Sequence, residues 1–199
     1  MTEKMKGQLQ FLIVADKMKS VFRQTILTDK SREENDAEHS WHLALMAMTL
    51  FEYTGISGVD LNRVIKMVIL HDMVEIYAGD TFAYDTKGYE TKEKRESDSA
   101  DRLFCLLPED QGAEYRSLWE EFDRMETPDA IYASAIDRLQ PFLNNFMTGG
   151  HTWVKHGVSA EMVYERMAPI KTALPEIWEF VEYVIHDSRE KGFLKGEKE

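Results

Sequence analysis

One cysteine in 199 residues leaves this chain no intramolecular disulfide. The apolar neighbours of Cys105 in RLFCLLP predict a buried thiol rather than a nucleophile, and a reducing, cytoplasmic setting fits. No apolar run approaches the roughly 20 residues needed to cross a bilayer, which excludes a membrane-spanning helix. The mixed segment Phe11 to Val14 is broken by Asp16 and followed by no small-residue cleavage site, so no signal peptide is expected. Positive charge is also short: 24 Lys and Arg against 36 Asp and Glu give a net charge of -12. Such a surface repels a polyanion, so long DNA or RNA is not an expected partner. One small phosphate ester is not excluded, because screening shields a pocket arginine from distant surface charge. No internal repeat, low-complexity tract or convincing period-two strand appears.

What is present reads as helix. Hydrophobic residues at 43% and charged residues at 30% describe a globular chain able to bury a core without staples. Phe11, Val14, Ala15, Met18, Val21 and Phe22 follow helical spacing and predict a first helix ending near Arg23. The polar stretch Thr28 to Asn35 reads as a loop. Asn35 with Glu38 then resembles a capping box opening a helix through Leu50, with His39 in its first turn. Asp60 caps a third helix, with Leu61, Val64, Ile65 and Val68 inward, predicted to run through HDMVEIYAGD and stop near Gly79. Residues 85–98 read as a loop plus a solvated helix start, with burial resuming at Leu103. Thr127 at N-cap and Pro128 at N1 open a helix that carries Asp137 beside Ile131, Ala135, Leu139 and Phe142. Two amphipathic helices follow, over about 159–168 and 175–189.

The expected fold is therefore all-α, a single helical domain over residues 1–199 with about six to nine helices. Its site-bearing core spans about 12–147, and C-terminal helices over 159–190 pack on it.

His39, His71, Asp72 and Asp137 lie near inward faces of three helices, and imidazole with carboxylate is a ligand set for divalent transition metals. Spacing alone leaves their convergence open. Glu75, three residues after Asp72, shares its helical face, so one carboxylate can hold an ion while the other moves protons.

EHSW around His39, HDMVEIYAGD around His71 and Asp72, and AIDRLQPFLNN around Asp137 resemble the HD metal-dependent phosphohydrolase superfamily. The surroundings are most similar to its 5'-deoxynucleotidase branch, over about Leu12 to Met167. The resemblance implies that His39, His71, Asp72 and Asp137 hold one divalent ion (Mn, Co, Fe or Zn). It also implies that Glu75 works beside the leaving group, that Asp80 orients water and that Arg23 reaches the phosphate from the first helix. A homodimer and a nucleoside 5'-monophosphate substrate are implied with it. No histidine lies between Asp72 and Asp137, which favours one ion over two. In that branch a tryptophan typically follows the arginine and disfavours a 2'-hydroxyl; here Gln24 stands there. Alternatives are a cyclic nucleotide, triphosphate or non-nucleotide ester as substrate, or a nucleotide-binding module without turnover. His42 is expected to be structural. His151, Lys155 and His156 read equally as pocket lining or surface, and Trp41, Trp119, Trp153 and Trp178 as core or interface.

Overall fold

The computed structural model describes residues 1–196, so the last three residues of the expected 1–199 span lie outside the described residues. In chain order the elements are α1 (Glu3–Ala15), β1 (Phe22–Ile26), β2 (Glu33–Asn35), α2 (Asp36–Thr49), α3 (Leu61–Leu70), α4 (Glu75–Ala78) and α5 (Thr86–Phe104). There follow α6 (Glu109–Arg124), α7 (Pro128–Thr148), α8 (His151–His156), α9 (Ala160–Met167), α10 (Ile170–Ala173) and α11 (Trp178–Glu190). The fold is predominantly helical, as its periodicities predict. The helices outnumber the expected six to nine because short pieces such as α4 and α10 interrupt longer patterns.

α7 organises the rest, touching α2, α3, α6, β1, α8, α9 and α10. Its start is built as read: Thr127 Oγ1 accepts from Ala130 N, and Pro128 occupies the first helical position. Ala133, Ala135, Ile136, Leu139 and Phe142 are buried from this helix. One contiguous core runs from Phe11 to Leu194, so α9 and α11 share it with the N-terminal helices. The capping box at α2 is also present, with Asn35 Oδ1 accepting from Glu38 N at 3.0 Å and Glu38 Oε2 from Asn35 N at 3.2 Å.

Five local expectations are corrected. The first helix does not reach Arg23: after Ala15 the chain tightens into a 3-10 turn over Asp16–Ser20, then extends as β1, paired antiparallel with β2. This hairpin escapes a period-two reading because β1 is only five residues long, with a register irregularity between Phe22 and Ile26. Arg23 therefore sits on a strand, and part of the loop assigned to residues 28–35 is β2. The third helix breaks at Leu70. Through His71 to Val74 nearly every residue is buried, which a one-sided helical stripe cannot satisfy, and the chain adopts three-residue hydrogen bonds such as Glu75 N to Asp72 O at 2.9 Å. Residues 86–104 form one helix from an Asp85 cap, and burial resumes at Glu96 rather than Leu103. Cys105 is exposed, because it caps the end of α5 and its Sγ turns back onto the Arg102 carbonyl.

Gly79 has φ of 77°, a conformation that costs a side-chain-bearing residue strain, and it turns the chain after α4 so that Asp80 faces back toward the site.

Candidate metal centre and active site

Three elements deliver the four expected ligands. His39 comes from α2, fully buried, His71 and Asp72 from the turn after α3, and Asp137 from α7. His71 Nε2 stands 3.0 Å from Asp72 Oδ2 and 3.6 Å from Asp137 Oδ1. His39 Nε2 stands 3.1 Å from Asp137 Oδ1 and 3.7 Å from Asp72 Oδ2.

The outer nitrogens fix how both rings are protonated. His71 Nδ1 donates to the Val68 carbonyl at 3.0 Å. His39 Nδ1 lies 3.0 Å from Gln140 Oε1, while Gln140 Nε2 donates to Glu34 Oε1 at 2.7 Å. A carboxylate only accepts, so Glu34 turns the amide oxygen of Gln140 toward His39, and Nδ1 carries the proton. Both Nε2 atoms then face the carboxylate oxygens of Asp72 and Asp137. His71 Nε2 is buried with no hydrogen-bond partner despite its approach to Asp72. Two imidazole nitrogens facing two carboxylates are a donor set that fits a divalent cation once the Nε2 protons leave.

The electrostatics point the same way. Burial alone would lower the pKa of His71, yet the charges of Asp72 and Asp137 outweigh it and push it up to about 10. Burial would raise Asp72, but His71 and Arg23 hold it below the usual carboxylate range. A field that attracts protons this strongly attracts a cation in their place, with proton release.

Beside this quartet lies a second acidic group, Asp36, Glu75 and Asp80, whose carboxylate oxygens fall within 4.8 Å of one another. Arg23 joins the two: its Nη1 is 2.7 Å from Asp72 Oδ2, 3.3 Å from Asp36 Oδ1 and 4.0 Å from Asp80 Oδ1. Burial, then repulsion from Asp72, Asp36 and Asp80, lifts Glu75 well above the usual carboxyl range. Burial, then Asp72, lifts Asp36 to about 7. Burial also raises Asp80, against the pull of Arg23. Burial and mutual repulsion thus favour the protonated form across this group.

His71, Asp72 and Asp137 of the first group and Glu75 and Asp80 of the second line one cavity of about 280 Å³, with Phe82, Tyr84, Tyr89, Phe122, Phe142 and Trp153 in its walls. Asp36, Glu34, Gln140, Arg138 and Arg166 are residues that the sequence reading passed over. Asp36 and Gln140 each had a signal, standing three residues from His39 and Asp137 on the same helices. Arg166 had none, because α9 meets Asp137 only through the tertiary fold. His42 is half-buried with Nδ1 3.3 Å from Gln140 Nε2, and it ligates nothing in the quartet. His151 is exposed. Lys155 and His156 are exposed as well, yet both meet Gln24 Oε1, at 2.9 and 3.2 Å, and His156 packs on Phe82 at 4.3 Å. Trp119 and Trp153 are core, whereas Trp41 is 67% exposed.

A match to the HD domain family spans residues 15–178. The chain belongs to the HD domain family. It is 29% identical over 139 residues to 5'-deoxynucleotidase HDDC2 of Homo sapiens, covering 69% of this chain and 66% of that protein. The match thus spans about two thirds of that relative's length. A predicted metal-dependent phosphohydrolase of Magnetospirillum magnetotacticum MS-1 superposes with a TM-score of 0.92 at 45% identity, over 98% of this chain and 97% of that one. The PH0347 protein of Pyrococcus horikoshii OT3 shares the fold, with a TM-score of 0.59 at 18% identity over 92% of this chain and 99% of that one.

Gln140 offers a direct check of the outer contacts. Replacing Gln140 with Leu removes the acceptor that orients His39 and is expected to weaken divalent-metal affinity about 10–100-fold. Competition titration against a fluorescent chelator measures it, and unchanged affinity would show that His39 needs no such support.

Proposed function

We propose that this chain is a metal-dependent phosphoric monoester hydrolase acting on nucleoside 5'-monophosphates, with His39, His71, Asp72 and Asp137 holding one divalent ion. The observation that carries the reading is Arg23, 2.7 Å from Asp72 Oδ2 and 4.0 Å from Asp80 Oδ1, in a cavity that His71, Glu75 and Asp137 also line. Similarity to the 5'-deoxynucleotidase HDDC2 relatives supports the choice of substrate. Mn, Co, Fe and Zn all suit two imidazoles and two carboxylates.

A dication held by His39, His71, Asp72 and Asp137 would supply Lewis-acid neutralisation of phosphoryl charge and make water more acidic. The protein's own groups do the rest. Glu75, raised by burial and by its acidic neighbours, delivers a proton to the departing 5'-oxygen, without which an alkoxide leaves slowly. Asp80, turned inward after Gly79, orients the attacking water. Arg23 holds Asp72 in place and offers positive charge to the phosphoryl oxygens; its Nε is buried and unpartnered. Gln24, held by Lys155, presents an amide rather than a bulky ring, so ribonucleotides are accepted beside deoxyribonucleotides.

Residues 1–199 act as one domain in this reading, supported by the single core. No helix among the described residues is long and apolar enough to cross a membrane. A homodimer working in the cytoplasm completes the proposal; exposed Leu12, Ile13 and Trp41 supply apolar surface for pairing, and Cys105 is a free thiol.

A panel of 5'- and 3'-monophosphates, 3',5'-cyclic monophosphates and triphosphates, in ribo and deoxyribo form, tests the substrate. Phosphate release confined to 5'-monophosphates of both sugars is expected. Release from the cyclic or triphosphate esters alone would overturn the choice of ester.

A further inference from the structure

Two guanidinium groups line the same cavity on its Asp137 wall. Arg138 follows Asp137 on α7, and Arg166 reaches in from α9. Arg166 Nη2 lies 3.7 Å from Asp137 Oδ2, too far for a hydrogen bond, while the histidines face Oδ1. Arg138 donates to the Ser134 carbonyl at 2.9 Å and lies 3.2 Å from Met125 Sδ, neither of them an anion. Both side chains are half-buried. Among the described residues the one carboxylate within 4.0 Å of Arg166 is an expected metal ligand, so its charge is already shared. Two half-buried cations that have no carboxylate of their own among the described residues are costly unless an anion enters between them.

We propose that Arg138 and Arg166 form the anion-binding half of the site and take the non-bridging oxygens of the substrate's phosphoryl group. The assignment rests on the phosphate-ester reading of the cavity. Arginine suits the task because its planar fork matches phosphate oxygens two at a time. Placement selects the scissile phosphate over a second acidic group elsewhere on the substrate. Asp137 turns one oxygen to the histidines and the other to Arg166, so a single carboxylate separates the guanidinium from the metal ligands. α9 thereby contributes to the site itself, and the working region extends beyond residues 12–147 into the C-terminal helices.

The test titrates orthophosphate into the Mn-loaded protein by calorimetry, for wild type, Arg138→Gln, Arg166→Gln and Arg166→Lys, with circular dichroism as the fold control. Each glutamine variant is expected to bind orthophosphate about tenfold more weakly, as the loss of one charge-assisted contact predicts. Mn affinity stays unchanged, KM for a 5'-monophosphate rises more than kcat falls, and Arg166→Lys recovers part of the binding. Orthophosphate affinity unchanged in both folded glutamine variants would overturn the proposal. So would a parallel loss of Mn affinity, which would make Arg166 a support for Asp137 only. Arginine-dependent orthophosphate binding by a wild-type protein that cleaves no phosphate monoester would leave the anion site standing and remove the hydrolase reading alone.

Discussion

Glu75→Gln is expected to lower kcat for a nucleoside 5'-monophosphate by about 10²–10⁴-fold, the range that a positioned general acid contributes. Metal content and substrate affinity should stay close to wild type, because Glu75 belongs to the Asp36 and Asp80 group and stands outside the ligand quartet. The substitution preserves shape in a site that is only 6% exposed and removes the proton that burial and three neighbouring carboxylates keep on this group. Its backbone bond to the Asp72 carbonyl is untouched, so the turn carrying the HD pair persists. Steady-state kinetics beside metal analysis of the same preparation decide the point. A variant with full turnover would remove Glu75 from the reaction. One that loses its metal would move Glu75 among the ligands.

Asp72→Asn should release the ion. Asp72 Oδ2 is the oxygen that both histidines face, at 3.0 and 3.7 Å, and it is the partner of Arg23 at 2.7 Å. An amide brings no charge to balance a dication, so the loss of affinity should exceed the roughly 10–100-fold that an outer-contact mutation costs. Arg23 keeps Asp36 Oδ1 as an acceptor at 3.3 Å, which limits structural damage and makes this carboxylate a cleaner target than Asp137, whose removal would also disturb Arg166. Inductively coupled plasma measurement of metal per chain reads the outcome. Full metal occupancy in the variant would exclude Asp72 as a ligand.

The helices that carry the site were legible because their signals are local. Thr127 and Pro128 announce α7, and Asn35 with Glu38 announces α2, each through the orphan backbone groups of a helix start. What lies between them was not. The hairpin that lifts Arg23 into the site pairs residues across an irregular register, and pairing partners leave no periodic trace in a five-residue strand. The break after Leu70 was hidden because His71, Met73, Val74 and Glu75 are all buried, a pattern that reads as continuous helix until the neighbours covering the second face are known.

The site divides in the same way. His39, His71, Asp72 and Asp137 could be named because their residue types are rare together, and the structure sets both histidines 3.0 to 3.7 Å from oxygens of the two aspartates. Asp36 was passed over as one acid among many in DAEH; only its complete burial beside Arg23 distinguishes it. Gln140 gains meaning only through Glu34, 106 residues away, which turns its amide toward His39. Arg166 lies outside every motif and reaches the cavity solely because α9 packs on α7.

The most direct test is phosphate release from a nucleoside 5'-monophosphate by protein stripped with chelator and then reloaded with Mn, Co, Fe or Zn in turn. The quartet predicts no release from stripped protein and recovery on reloading, with one tightly bound ion per chain. Undiminished release by the metal-free protein, or recovery that persists in Asp72→Asn, would contradict metal-dependent hydrolysis at this centre.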